Sequence, residues 1–193
     1  MLSTGTLKDE LTIAMSSQYM TAADAATGWA SAFTNYYKEI LNPLFTGMTE
    51  AQAETMKTAT AAGLISSGFG ITTTDPTGVV FAGQLTAGLV VATAKIVEFS
   101  LNDATVISSV LIAAPPLGAP VLTASLTGIF AATSALVAGG VSISIEETVD
   151  LITAAISVYS LTGTTTSPVG AVIPWDASLV DLEAAEEELE EEE

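Results

Sequence analysis

The amino-acid sequence predicts an all-α protein: a bundle of about six helices, then an extended Thr/Ser/Pro-rich segment and an acidic C-terminal tail. Three observations predict it. Apolar residues recur at three and four positions over most of the chain, the spacing of a stripe down one side of a helix. Ser or Thr stands three residues before Gln or Glu at two helix starts, the pattern of a capping box. Gly and Pro fall between the periodic stretches rather than within most of them.

The elements follow in order. Leu7, Leu11, Ala14 and Met15 share one face of a first short helix over Leu7–Ser17. Thr21 is the expected cap of the second, with Asp24 in its first turn, where the helix dipole favours negative charge. Ala22, Ala26, Trp29, Phe33, Tyr36 and Ile40 then form its buried stripe, and Asn42-Pro43 ends it, because the residue before proline is pushed out of helical geometry. Thr49 and Gln52 make a capping box for a third helix reaching Ser66, with Met48 placed as a hydrophobic staple. Gly68, Gly70, Thr72 to Thr74, Pro76 and Gly78 read as a loop. A fourth helix is expected from Gly83 to Phe99, with Leu85, Leu89, Ala92, Ile96 and Phe99 on one face. Val106 to Ala113, before Pro115-Pro116, fits helix or strand. Leu122 to Ala138 reads as a helix closed by Gly139-Gly140. Ser144 and Glu147 form a second capping box before a helix from Ile145 to Leu161, ended by Gly163. Thr162 to Trp175 is expected to be extended.

Residues 1–175 form the expected helical domain and residues 176–193 the tail. Setting Ser144 on Thr21 places Glu147 on Asp24, Ile152 on Trp29, Ile156 on Phe33 and Tyr159 on Tyr36. That correspondence raises the expectation of an internal duplication, with halves 1–75 and 76–175.

Composition restricts the chemistry. The chain has no Cys, His or Arg, and its four cations are Lys8, Lys38, Lys57 and Lys95. The usual general base, the thiolate nucleophile and the commonest zinc ligands are therefore missing, as is the guanidinium fork that grips phosphate. The lysines sit near acids on faces expected to be exposed, which is the ordinary state of a surface lysine. Asp9-Glu10 and Glu146-Glu147 occupy first turns of helices, where the dipole explains them. Glu50 and Glu54 lie one turn apart with no third ligand to complete a metal pattern. Gly68-Phe69-Gly70 lacks the following Lys-Ser/Thr of a phosphate-binding loop. No enzyme activity, cofactor or metal is expected.

Net charge is −18, and ten of the 22 acids lie between Asp176 and Glu193. Residues 1–175 still carry −8, which repels nucleic-acid phosphates. Residues 104 to 145 contain no charge at all, and the mean hydropathy of the whole chain is +0.55. That run is long enough for an apolar membrane hairpin. Pro115, Pro116 and Pro120 interrupt it, Thr, Ser and Gly dilute it, and no Lys or Arg follows Lys95 to anchor it, so membrane insertion ranks second. No signal peptide is expected at Met1 to Glu10, which lacks a basic region followed by an apolar block. Helix faces rich in Thr, Ser, Ala and Val from residue 83 onward predict large uncharged patches of the kind subunits bury against each other.

The capped helix from Thr21 to Tyr37, its echo from Ser144 to Tyr159, and the Thr/Ser/Pro-rich run from Thr162 to Pro174-Trp175 resemble the small Ala/Thr/Gly-rich virion structural proteins of tailed bacteriophages. The glutamate tail lies outside that pattern. The resemblance implies an accessory capsid, neck or tail component, assembled in the host cytoplasm and carried in the virion, with other copies and other virion proteins as partners. A contact set of Trp175, Leu179, Leu182, Glu186, Glu187 and Glu188 is expected to dock the tail on a basic surface of another chain, the apolar residues as anchor. A third reading is an acidic scaffold or chaperone that engages basic partners through the tail.

Overall fold

The computed structural model describes residues 2–38, 48–70, 75, 77–102, 112–166 and 172–175. It is an all-α bundle of six helices: α1 (Thr4–Ser16), α2 (Ala22–Lys38), α3 (Glu50–Ser66), α4 (Val79–Asn102), α5 (Ala119–Ala138) and α6 (Ile145–Ser160). Each helix packs on its neighbours in the chain, and α6 returns to pack on α1, so the six close into a ring. α2 also reaches α4 across the interior.

Local signals set these boundaries. Both capping boxes form: the Thr49 side chain accepts from the Gln52 N–H while Gln52 accepts from the Thr49 N–H, and Ser144 and Glu147 exchange the same pair of bonds. Thr21 caps α2 by accepting from the Asp24 N–H at 3.1 Å. Three helices begin earlier than the sequence predicts. α1 starts at Thr4 rather than Leu7, because the Ser3 side chain accepts the Thr6 N–H at 3.1 Å and caps the helix there. α4 starts at Val79 rather than Gly83, because the Asp75 carboxylate accepts the Phe81 N–H at 3.0 Å and the Thr77 hydroxyl at 2.9 Å, ahead of a left-handed Gly78. α5 starts at Ala119 rather than Leu122, because Pro120 sits in the first turn, where its missing N–H costs nothing.

The core lies inside the ring. Leu7, Leu11 and Ala14 of α1, Trp29, Phe33 and Tyr36 of α2, and Leu85, Leu89, Ala92, Ile96 and Phe99 of α4 are all buried, as their periodicity predicts. Ile40 lies outside the described residues. Aromatic rings gather at two places. Trp29 meets Phe33, Phe69 and Phe81 edge-on at centroid separations of 5.9–6.1 Å, and Phe81 passes the contact to Phe130 of α5 at 4.8 Å. Elsewhere Tyr37 packs beside Tyr36 and edge-on to Trp175 at 6.4 Å. The Tyr37 hydroxyl donates to the Ser160 hydroxyl at 2.9 Å, which donates in turn to the Ile156 carbonyl at 2.9 Å. This chain of bonds joins α2 to α6 with every group satisfied.

Three short strands form a small antiparallel sheet: β1 (Ile112–Ala114), β2 (Thr164–Thr166) and β3 (Val172–Pro174), with β2 in the middle. Ala114 pairs with Thr164, which pairs with Pro174. Ile112 and Ala113, at the end of the Val106–Ala113 stretch that fitted helix or strand, are thus strand, and the segment after α6 supplies the partners. Val106 to Leu111 lie outside the described residues. The Thr21–Ser144 correspondence relates α2 to α6, the second and sixth members of the ring. A repeat of three helices would superpose α2 on α5 instead.

Candidate functional site

The four lysines are all engaged with acids. Lys8 reaches Asp150 at 2.8 Å and Glu146 at 3.2 Å across the α1–α6 boundary, and Lys38 pairs with Glu50, Lys57 with Glu54, and Lys95 with Glu98. Hydrogen bonds to Asp150, and then to Glu146, push the Lys8 amino group up, which is the opposite of an activated amine. Glu147 is held in its capping box. Among the described residues no cluster of three or more acids forms a cradle for a metal ion.

Trp175 does not face outward. The expected contact with another chain is not what its ring makes: it is 1% exposed and closes the chain's own core. The cause is Gly163: a Cβ there would stand 2.5 Å from the indole, so only the bare Cα admits the ring. The Trp175 N–H donates to the Gly163 carbonyl at 3.0 Å and fixes the seat. Leu179, Leu182, Glu186, Glu187 and Glu188 lie outside the described residues.

A different surface is left uncovered. Among the described helices α5 alone has no charged residue. It is also the more exposed of the two long apolar helices: most of Ala119–Ala138 lies outside the core, whereas about half of Val79–Phe99 in α4 is buried. Val121, Leu136 and Val137 of α5 stand in solvent, and on the neighbouring α6 so do Leu151 and Val158. Leu151, Ala154, Val158 and Leu161 recur at three and four residues, so α6 carries an apolar stripe outward as well as the stripe it buries.

The seam between α5 and α6 is open along its length. At one end a pocket of about 370 Å³ is lined by Leu117, Val121 and Ser125 with Ala154, Val158 and Thr162. At the other a pocket of about 270 Å³ is lined by Ile129, Ala132 and Leu136 with Val141, Glu147 and Leu151. The start of α5 thus lies beside the end of α6, and the two run antiparallel. Small side chains leave the gap: Ala124, Ser125, Gly128 and Ala132 occupy the outer surface of α5, and a Cβ on Gly128 would meet nothing within 4 Å.

The charged residue in the lining of the two pockets is Glu147, which is held in its capping box with Ser144. The rest of the seam offers apolar area and two holes, which are the terms of protein–protein or protein–lipid contact. The sequence pointed to the half of the chain after residue 83. What it did not resolve is that α4 turns one side inward while α5 leaves most of its surface outside. The legible signal was the charge-free run itself, of which α5 is the centre. Comparisons with protein-family models, with curated proteins and with solved structures give no match.

Proposed function

We propose that the chain is a non-catalytic assembly subunit, held in a larger particle by the charge-poor α5–α6 face, and that the particle is the virion of a tailed phage. The observation that carries the assembly reading is the exposure of Val121, Leu136, Leu151 and Val158 on a face whose charges are confined to the first turns of α6. A freely diffusing subunit gains nothing from such a face, and a packed one buries it at roughly 25 cal/mol per Å². The virion assignment rests on the resemblance in sequence texture. Mass spectrometry of purified particles tests it: the chain is expected as a recurrent, stoichiometric component. Its abundance in the producing lysate together with its absence from the particles overturns the assignment.

One observation favours a second reading. Val79–Phe99 and Ala119–Ala138 are each long and apolar enough to cross a bilayer, and the second is mostly outside the core. Carbonate extraction of cell membranes separates the two readings. A subunit is released to the supernatant, whereas a membrane-inserted chain stays in the pellet.

A further inference from the structure

We infer that the α5–α6 face is the contact with a second copy of this chain, formed across a two-fold axis with α5 lying antiparallel on α5. The inference rests on the assembly reading and names the partner of that face.

Charge favours a copy as the occupant. A molecule of net charge −18 repels its own kind at almost every approach. Every described helix but α5 carries at least one acid, and the acids of α6 (Glu146, Glu147 and Asp150) are confined to its first turns. The patch formed by α5 and the later turns of α6 is where two copies meet without setting like charges face to face. A neutral apolar patch is complementary to itself, as a two-fold interface requires.

Shape agrees. Gly128 is at the middle of α5, outward and uncrowded, so two antiparallel α5 helices can cross there closely. The crossing brings the end of each α5, with exposed Leu136 and Val137, toward the pocket beside Val121 and Val158 of the other copy. Area suits a weak, reversible dimer. α5 at 1.5 Å per residue is about 30 Å long and the later turns of α6 about 15 Å, so at about 10 Å width they give a footprint on the order of 450 Å². Two such footprints come to roughly 900 Å², the low end of the range for transient interfaces.

Sedimentation equilibrium of the full chain at tens of micromolar, in low and in high salt, tests the inference. A dimer is expected, tighter in high salt because screening weakens the repulsion between the acidic bodies. Gly128→Glu sets two carboxylates at the crossing and is expected to raise the dissociation constant by at least about tenfold. Its circular dichroism and melting temperature are expected to hold, because the site is open in the monomer and glycine is the weaker helix former. Val158→Glu, on the other helix of the face, is expected to act in the same direction, so the test does not hang on one site. A monomer in both salts overturns the inference, as does a dimer indifferent to both substitutions. A monomer that floats with phosphatidylcholine vesicles overturns it in favour of lipid. A chain present in purified particles yet monomeric in solution defeats this inference and leaves the assembly reading standing. A dimer absent from particles upholds this inference and overturns the virion assignment.

Discussion

Replacing Phe33 by alanine removes a fully buried ring that meets Trp29 edge-on at 6.1 Å. The loss is expected to be about 3–5 kcal/mol, read as a shift of the denaturation midpoint at constant slope. Tyr37 makes a subtler contribution. Burial pushes its phenol well above the ordinary tyrosine value, with the hydrogen bond to Ser160 opposing the shift. The folded state therefore favours the protonated phenol. The stability it contributes is complete below the unfolded value, about 10, and is lost as pH rises from there through the raised folded value. Tyr37→Phe is expected to cost about 1 kcal/mol at neutral pH and to flatten the loss of stability above pH ~10, measured by denaturant unfolding at a series of pH values. Part of the alkaline sensitivity is expected to remain, because burial also raises Tyr159, which hydrogen-bonds Thr93. Gly163 was legible only as a helix terminator. Its second use, as the seat for Trp175, depends on a residue beyond two strands, which no local pattern reveals. Gly163→Ala is expected to cost about 1–3 kcal/mol by overpacking and to change the tryptophan fluorescence.

Among the elements, α2, α3 and α6 were legible at their starts, whereas the Ser3 cap that begins α1 at Thr4 went unread. Thr21, Thr49 and Ser144 each announce a helix that begins where they stand, because the signal and the bond it makes lie within four residues. α4 was placed too late because its cap, Asp75, reaches over Pro76 and Gly78 to the Phe81 N–H. These bonds hold the Asp75 carboxyl below the usual carboxylate range, the one to Phe81 first. A depressed folded value means that the contribution is present above pH ~3.9 and lost as pH falls through the lowered value. Asp75→Asn is expected to destabilise the chain at neutral pH and to lessen its further loss of stability in acid, which an unfolding series between pH 6 and pH 2 would reveal. The strands were less legible, since three residues are too few to establish a period. Packing between elements was hidden as well. Gly63 of α3 admits Val91 of α4, and Gly88 of α4 admits Leu64 of α3, with distances from the missing Cβ of 2.9 and 2.6 Å. Inside a helical pattern those glycines read as weak points. In the bundle they are the hollows into which each helix sets a side chain of the other.

For the molecule as a whole, the all-α class and the count of helices were readable because they rest on patterns local to each helix. The ring was not, because closing it depends on a contact between the first helix and the sixth. The same division holds for the candidate face. An uncharged run was visible in the sequence, whereas the antiparallel seam, its two pockets and the inward turn of Trp175 depend on the tertiary arrangement. Ring closure also bears on how the chain comes to be folded. The acceptor for the Tyr37 hydroxyl is Ser160, and the carboxylates that hold Lys8 are Glu146 and Asp150. On the ribosome, α1 and α2 emerge long before these partners exist and wait with one flank open while more than a hundred residues are made. Contacts of such long sequence separation close slowly, since the intervening loop entropy is lost before they form. The last helix therefore acts as a keystone, and a nascent chain halted at the α5–α6 turn is a ring without its closing member.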